Sequence, residues 1–137
     1  MKTNISILDI DVFEWYDGLV LGLIQTEQFV ALAYLLAFNP DQRQKRFCIL
    51  PIAEQEAEHL RMIFKSTGPQ AMDQQVFASI LTGKTSVYLT CDEPERGKML
   101  IVVDATPGER EHIPTPRFPL IDTTVDPGLI AQWLPGV

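Results

Sequence analysis

The sequence predicts an α+β fold: a mainly antiparallel sheet of about five strands, with one or two helices packed on one face and a Pro-rich C-terminal segment. Three apolar runs between residues 19 and 52 are separated by short polar breaks, which is typical of an antiparallel meander. A charged amphipathic segment follows, and then a β-branched strand–loop–strand pair. At 137 residues the chain predicts a single domain, 1–137, whose core spans residues 1–105.

The three apolar runs begin directly after Asp17-Gly18, which is a turn signal. They cover residues 19–24, 29–38 and 45–52. The middle run is also compatible with a capped helix, because it contains three Ala and three Leu. The polar breaks on either side have the length of hairpin loops, so we predict a strand. Such a strand is buried on both faces, or its second face is covered by a helix or by another subunit.

A helix is predicted for residues 53–66. Its first half carries three acids, where the helix dipole favours negative charge, and its last turn carries Lys65. Leu60, Ile63 and Phe64 form its apolar stripe. A second, shorter helix is predicted for residues 73–81, where four apolar residues share a face.

Two more strands are predicted at residues 85–91 and 98–103, joined by a hairpin loop at 93–97. From residue 106 to 125 the chain is rich in Pro and Thr, which predicts an irregular, extended segment. Residues 126–137 predict a short terminal helix, with Asp126 as its cap and Pro127 in its first turn.

The charge of the chain argues against nucleic acid as a partner. The formal net charge is −7 and the pI is about 4.7, whereas affinity for phosphate backbones comes largely from Lys and Arg. A membrane span over residues 18–38 is rejected, because four polar residues lie together at its centre, at 25–28. The N-terminus lacks the long apolar region of a signal peptide. We therefore expect a soluble, cytoplasmic protein.

Both cysteines, Cys48 and Cys91, lie in predicted strands, so we predict two free, buried thiols. Two cysteines in a chain with its own sizeable core do not indicate a disulfide framework.

The order of elements resembles a family of small bacterial domains of unknown function. The resemblance rests on Tyr16-Asp17-Gly18 before an apolar hairpin, on Leu50-Pro51-Ile52 before a helix, and on Leu134-Pro135 in the tail. Leu19 stands where that family has proline. The resemblance implies a fold for about residues 10–105 and no activity.

No convincing catalytic or metal site emerges from the sequence. Glu56 and His59 form one Glu-x-x-His pair, but a di-metal site of this kind needs a second pair and two further acids. His112 follows acids in the Pro-rich segment and is more typical of a surface residue. No nucleophile lies near a base, and no glycine pattern predicts a phosphate loop. We predict no catalytic residue, no metal and no cofactor.

An acidic, aromatic segment before the first turn is the candidate binding site. Its residues are Glu14, Trp15, Tyr16 and Asp17. Trp and Tyr are favoured anchors of interfaces. Strand alternation would put Trp15 on the same face as Phe13, and an alternative interpretation is that these two rings simply close one end of the core.

The sequence therefore predicts a non-enzymatic protein–protein interaction or regulatory module. The alternative is a small ligand-binding domain or enzyme whose polar groups converge only in three dimensions. A homodimer is expected, because the run from 19 to 38 is apolar on both strand faces and the predicted helices would cover only one. In the competing arrangement, the Pro-rich segment folds over the second face of a monomer.

Overall fold

A closed barrel of six antiparallel strands forms the body of the protein. The computed structural model describes residues 2–15, 18–39, 44–67 and 86–112. The strands are β1 (Lys2–Trp15), β2 (Leu19–Thr26), β3 (Val30–Asn39), β4 (Gln44–Ile52), β5 (Tyr88–Thr90) and β6 (Met99–Asp104). Helix α1 (Glu54–Thr67) lies between β4 and β5, and helix α2 (Pro107–His112) follows β6.

The predicted α+β fold with helices on one face of an open sheet is wrong, because the sheet closes on itself. Strand β1 joins the two edges of the sheet. Its segment from Lys2 to Ser6 pairs with β6, and its segment from Ile7 to Trp15 pairs with β2. The sequence does not show this strand plainly. Polar and apolar residues alternate over 4–7 and again over 9–12, but the register against β2 shifts between these stretches and twice more before Trp15, so the alternation changes phase and does not mark one continuous strand.

The barrel interior is one of two buried clusters, and it draws side chains from all six strands. Its fully buried members are Ile5, Ile7, Leu19, Ile24, Ala31, Ala33, Phe47, Ile49, Leu100 and Val102, and Tyr88 of β5 packs against them. The predicted strand at 29–38 is confirmed as β3, and its burial on both faces is also confirmed. One of these faces lines the interior of the barrel.

The second buried cluster lies on the outside of β2, β3 and β4. Leu23, Leu32 and Leu50 lie side by side there, because β3 pairs Leu32 with both of the others. Helix α1 adds Ala57 and Leu60 to this cluster, and Phe64 stacks on Phe13 with ring centroids 4.7 Å apart. The homodimer was inferred from a sheet face left uncovered. In a closed barrel the chain buries that face itself, so the argument no longer applies.

Helix α1 forms where the acidic segment predicts it. Glu56 accepts a hydrogen bond from the Ala53 backbone N–H at 2.8 Å, which supplies one partner to the first turn. Arg61 bridges the helix to the barrel, because it contacts both Asp11 of β1, at 2.9 Å, and Glu58 on its own helix.

Helix α2 corrects the prediction of an irregular segment at 106–125 over residues 107–112, and residues 113–125 lie outside the described part of the chain. Thr106 and Glu109 form a reciprocal capping box: the Thr106 N–H donates to Glu109 Oε1 at 2.9 Å, and the Glu109 N–H donates to Thr106 Oγ1 at 3.1 Å. The signal was present in the sequence as Thr-Pro-Gly-Glu, with Pro107 at the first helical position. The helices predicted at 73–81 and 126–137 lie outside the described residues.

Strand β5 is shorter than the predicted strand 85–91. From Thr90 onward, side-chain hydrogen bonds to β6 replace the backbone hydrogen bonds of the sheet. Thr90 Oγ1 donates to the Ile101 carbonyl at 2.9 Å, and the Ile101 N–H donates to Asp92 Oδ2 at 3.2 Å. These two bonds fix the middle of β6 on its β5 side.

Candidate functional site

The predicted binding segment lies at the end of β1. The Trp15 side chain is 57% exposed, whereas Phe13 is buried against α1. The interpretation that both rings close the core therefore holds for Phe13 and not for Trp15. Alternation fails because the β1 register shifts on either side of Glu14. The Glu14 side chain, Tyr16 and Asp17 lie outside the described part, so the site as a whole stays a prediction.

Gly18, which precedes β2, lies against an ion pair between two other elements. Lys45 Nζ of β4 lies 2.7 Å from Glu93 Oε1, and both side chains are largely buried. Lys98 Nζ donates to the Glu93 carbonyl at 3.1 Å. Gly18 has a φ of +133° and lies against this pair, so that any side chain there would collide with both charged groups. A side chain at position 18 would therefore fit only if this ion pair moved.

The two cysteines have opposite environments, which corrects the prediction that both are buried. Cys48 is fully buried on β4, whereas Cys91 is exposed because it follows the last residue of β5. The Cys91 Sγ accepts a hydrogen bond from Arg46 Nη1 at 3.1 Å. Cys48 pairs across the strands with Tyr34. Burial raises the pKa of the Cys48 thiol to about 12, although its hydrogen bond with Tyr34 acts in the opposite direction.

We expect thiol labelling of the native protein to proceed in two phases. Cys91 should react at once with one equivalent of reagent, since it is exposed. Cys48 should react only in denaturant, and raising the pH from 7 to about 10 should not expose it, because its thiol stays protonated in the folded state. The absorbance change of a chromogenic thiol reagent measures both phases. The Cys91→Ser variant serves as the control and should lose the fast phase only; a fast phase that survives it would contradict this assignment.

The Glu-x-x-His pair of helix α1 does not build a metal site in the described part of the chain. Glu56 caps the helix, and His59 lies exposed beside Glu58. Across residues 2–15, 18–39, 44–67 and 86–112, no group of three His, Cys, Asp or Glu side chains is placed to hold a metal ion. The His112 side chain is outside the described set.

A patch on the outer face of β1 and β6 was not predicted from the sequence. Leu8, Met99 and Ile101 are 49%, 58% and 54% exposed. Leu100 and Val102, which alternate with Met99 and Ile101 along β6, are fully buried. The register places Met99 beside Ser6 and Ile101 beside Asn4, and Leu8 lies two positions further along β1. We call Leu8, Met99 and Ile101 the β1–β6 patch.

Charged residues border this patch at both ends. At one end lies the exposed Lys2 of β1, which pairs with Val103 of β6; Asp104 is also exposed, but it pairs with Tyr88 and therefore lies on the other face of β6, with Leu100 and Val102. At the other end lie Asp9 of β1 and Arg96, which precedes β6; their side chains are 65% and 76% exposed, with Arg96 Nε 3.9 Å from Asp9 Oδ1. On this face, β1 therefore carries opposite charges on the two sides of the patch, Lys2 at one end and Asp9 at the other.

Comparisons with protein-family models, with curated proteins and with solved structures found no match. No helix among the described residues is long and apolar enough to cross a membrane.

Proposed function

We propose that this protein is a non-enzymatic protein–protein interaction module, and that it binds its partner through the β1–β6 patch. The observation that carries the proposal is the contrast on β6, where Met99 and Ile101 are more than half exposed and alternate with the fully buried Leu100 and Val102. Clustered large apolar side chains with a polar border are typical of protein interaction surfaces. The exposed Trp15 at the far end of β1 is a second candidate contact.

The alternative function, a ligand-binding domain or enzyme, has less support from the described residues. The barrel interior is filled by apolar side chains from every strand, which makes it a packed core. His59 shares a groove on α1 with Glu54 and Glu58, but the groove is shallow and open, and all three side chains are exposed to solvent, unlike the deep polar pocket that an active site needs. An acidic net charge of −7 also favours a protein partner over nucleic acid. The free state of both thiols supports a cytoplasmic location.

Site-specific photo-crosslinking in the native host tests the proposed function. A photoreactive phenylalanine replaces Ile101 in one variant and the exposed Glu54 of α1 in a control variant. We expect a discrete protein adduct from position 101 and a much weaker one from position 54. Equal labelling at the two positions would show that the patch is not a binding surface.

A further inference from the structure

We propose that the segment of β1 from Lys2 to Ser6, which we call the β1 strap, opens and recloses while the rest of the barrel stays folded. Among the described strands, the β1 strap pairs with β6 alone, because β2 ends at Thr26, which lies opposite Ile7. The opening does not require a partner at the β1–β6 patch and is therefore separate from the proposed function.

Few contacts other than backbone hydrogen bonds hold the β1 strap to the barrel. Ile5 is its one buried side chain, in the barrel interior, and three of the other four residues are exposed. Within the described part of the chain, no side-chain hydrogen bond or ion pair joins the strap to another residue. The other edge of β6 differs, because Thr90 and Asp92 hold both backbone groups of Ile101 there. Opening therefore removes one apolar side chain from the interior and leaves the larger part of the core in place.

Ile7 sets the point at which the β1 strap pivots. Its backbone N–H donates to the Lys98 carbonyl at 2.9 Å, and its carbonyl accepts from the Gly97 N–H at 2.8 Å. It also pairs with Thr26 of β2 on its other side. Because Ile7 is held from both sides, it stays in the barrel while the strap moves. Contiguous segments that open in this way do so at a lower free energy than global unfolding.

The backbone of β6 shows which groups the opening exposes. Ile101 directs its N–H toward Asp92 and its C=O toward Thr90, on the β5 side of the strand. Backbone groups alternate between the two edges of an antiparallel strand, so those of Leu100 and Val102 point toward the β1 strap. Opening therefore leaves an unpaired strand edge at these two residues, together with the interior space that Ile5 fills.

Amide hydrogen exchange followed by NMR tests the opening at single residues. The N–H groups of Leu100 and Val102 should be protected at least about tenfold less than that of Leu32, which lies between two partner strands in β3. Low concentrations of urea should speed exchange steeply at Leu32 and only slightly at Val102, because the opening exposes little surface. Equal protection of the three amides, or the same dependence on urea, would overturn the proposal.

A disulfide between the β1 strap and β6 provides the matched control. Asn4 and Ile101 lie directly opposite each other, both are exposed, and the backbone groups of Ile101 point away from the strap. Opposed residues of this kind have Cα atoms close enough for a disulfide. The variant Asn4→Cys/Ile101→Cys is made in a Cys91→Ser background, so that the exposed native thiol does not compete.

Oxidation of this variant to the disulfide should slow exchange at Val102 at least about tenfold, and reduction should restore the wild-type rate. If the oxidised and reduced forms exchange alike, exchange at Val102 arises from another part of β6, and the β1 strap is not the element that moves. If the variant does not fold, the urea dependence of the wild-type protein decides alone.

Discussion

Replacing Leu32 by Asp is expected to unfold the protein. Leu32 is fully buried in β3, and its neighbours across the two adjacent strands are Leu23 and Leu50. A carboxylate at this position would have to give up its hydration in an apolar cluster without a charged partner. That cost is several kcal/mol, whereas the free energy of unfolding of a typical domain is only about 5–15 kcal/mol. Far-UV circular dichroism during heating should show no cooperative transition.

Two matched variants separate burial from the mere introduction of an acid. Met62→Asp places the same charge on an exposed apolar residue, and its melting temperature should stay within a few degrees of the wild type. Leu32→Ala removes side-chain volume without adding charge and should lower the free energy of unfolding by about 2–5 kcal/mol. A Leu32→Asp protein that melts like the wild type would mean that this strand is not part of the core.

Replacing Gly22 by Ala is expected to destabilise the barrel by about 2–4 kcal/mol, although it adds a single methyl group. Gly22 lies in β2 between Val12 and Ala33. A Cβ atom there would lie 2.6 Å from the Asp11 carbonyl oxygen and 3.2 Å from Leu19 Cδ1. The first of these is a backbone atom, so the added methyl group can be accommodated only by moving β1 away from β2. Urea unfolding measures the loss as a lower transition midpoint.

Gly108→Ala is the control for this substitution. Gly108 lies in α2, where a Cβ atom would meet no other atom within 4 Å. Alanine in a helix is favoured over glycine by about 1 kcal/mol, so this variant should be as stable as the wild type or slightly more stable. Equal losses at the two glycines would show that the close approach of β1 to β2 is not the cause.

Local structure could be predicted from this sequence where the pattern has one interpretation. Strands β2, β3 and β4 were found because apolar runs alternate with turn residues, and α1 because its charges match the helix dipole. Closure of the sheet could not be predicted in this way. It depends on the pairing of Lys2–Ser6 with β6, between segments at opposite ends of the described chain, and the bulges of β1 hide its strand character.

The candidate surface was equally hard to predict, for a different reason. Strand β6 is apolar at five consecutive positions, 99–103, so alternation cannot show which residues point outward. Only the barrel assigns Leu100 and Val102 to the interior and leaves Met99 and Ile101 exposed. Trp15 could be singled out from the sequence because it lies in an acidic, aromatic segment before a turn and Trp is a favoured anchor of interfaces; its exposure is known only from the structure.

The pairing of β1 with β6 also has a consequence for the order in which the protein can fold during synthesis. The ribosome makes β1 first among the strands, but its N-terminal half has its β-sheet partner only when Met99–Val103 has left the exit tunnel. Until then Ile5 and Ile7 lack the neighbours that bury them in the finished barrel. Contacts between such distant segments slow folding, because the entropy of closing a long loop is lost before any contact is gained. Barrel closure is therefore expected to be the late, slow step, and the apolar residues at the start of β1 stay open to misassociation until Met99–Val103 has emerged.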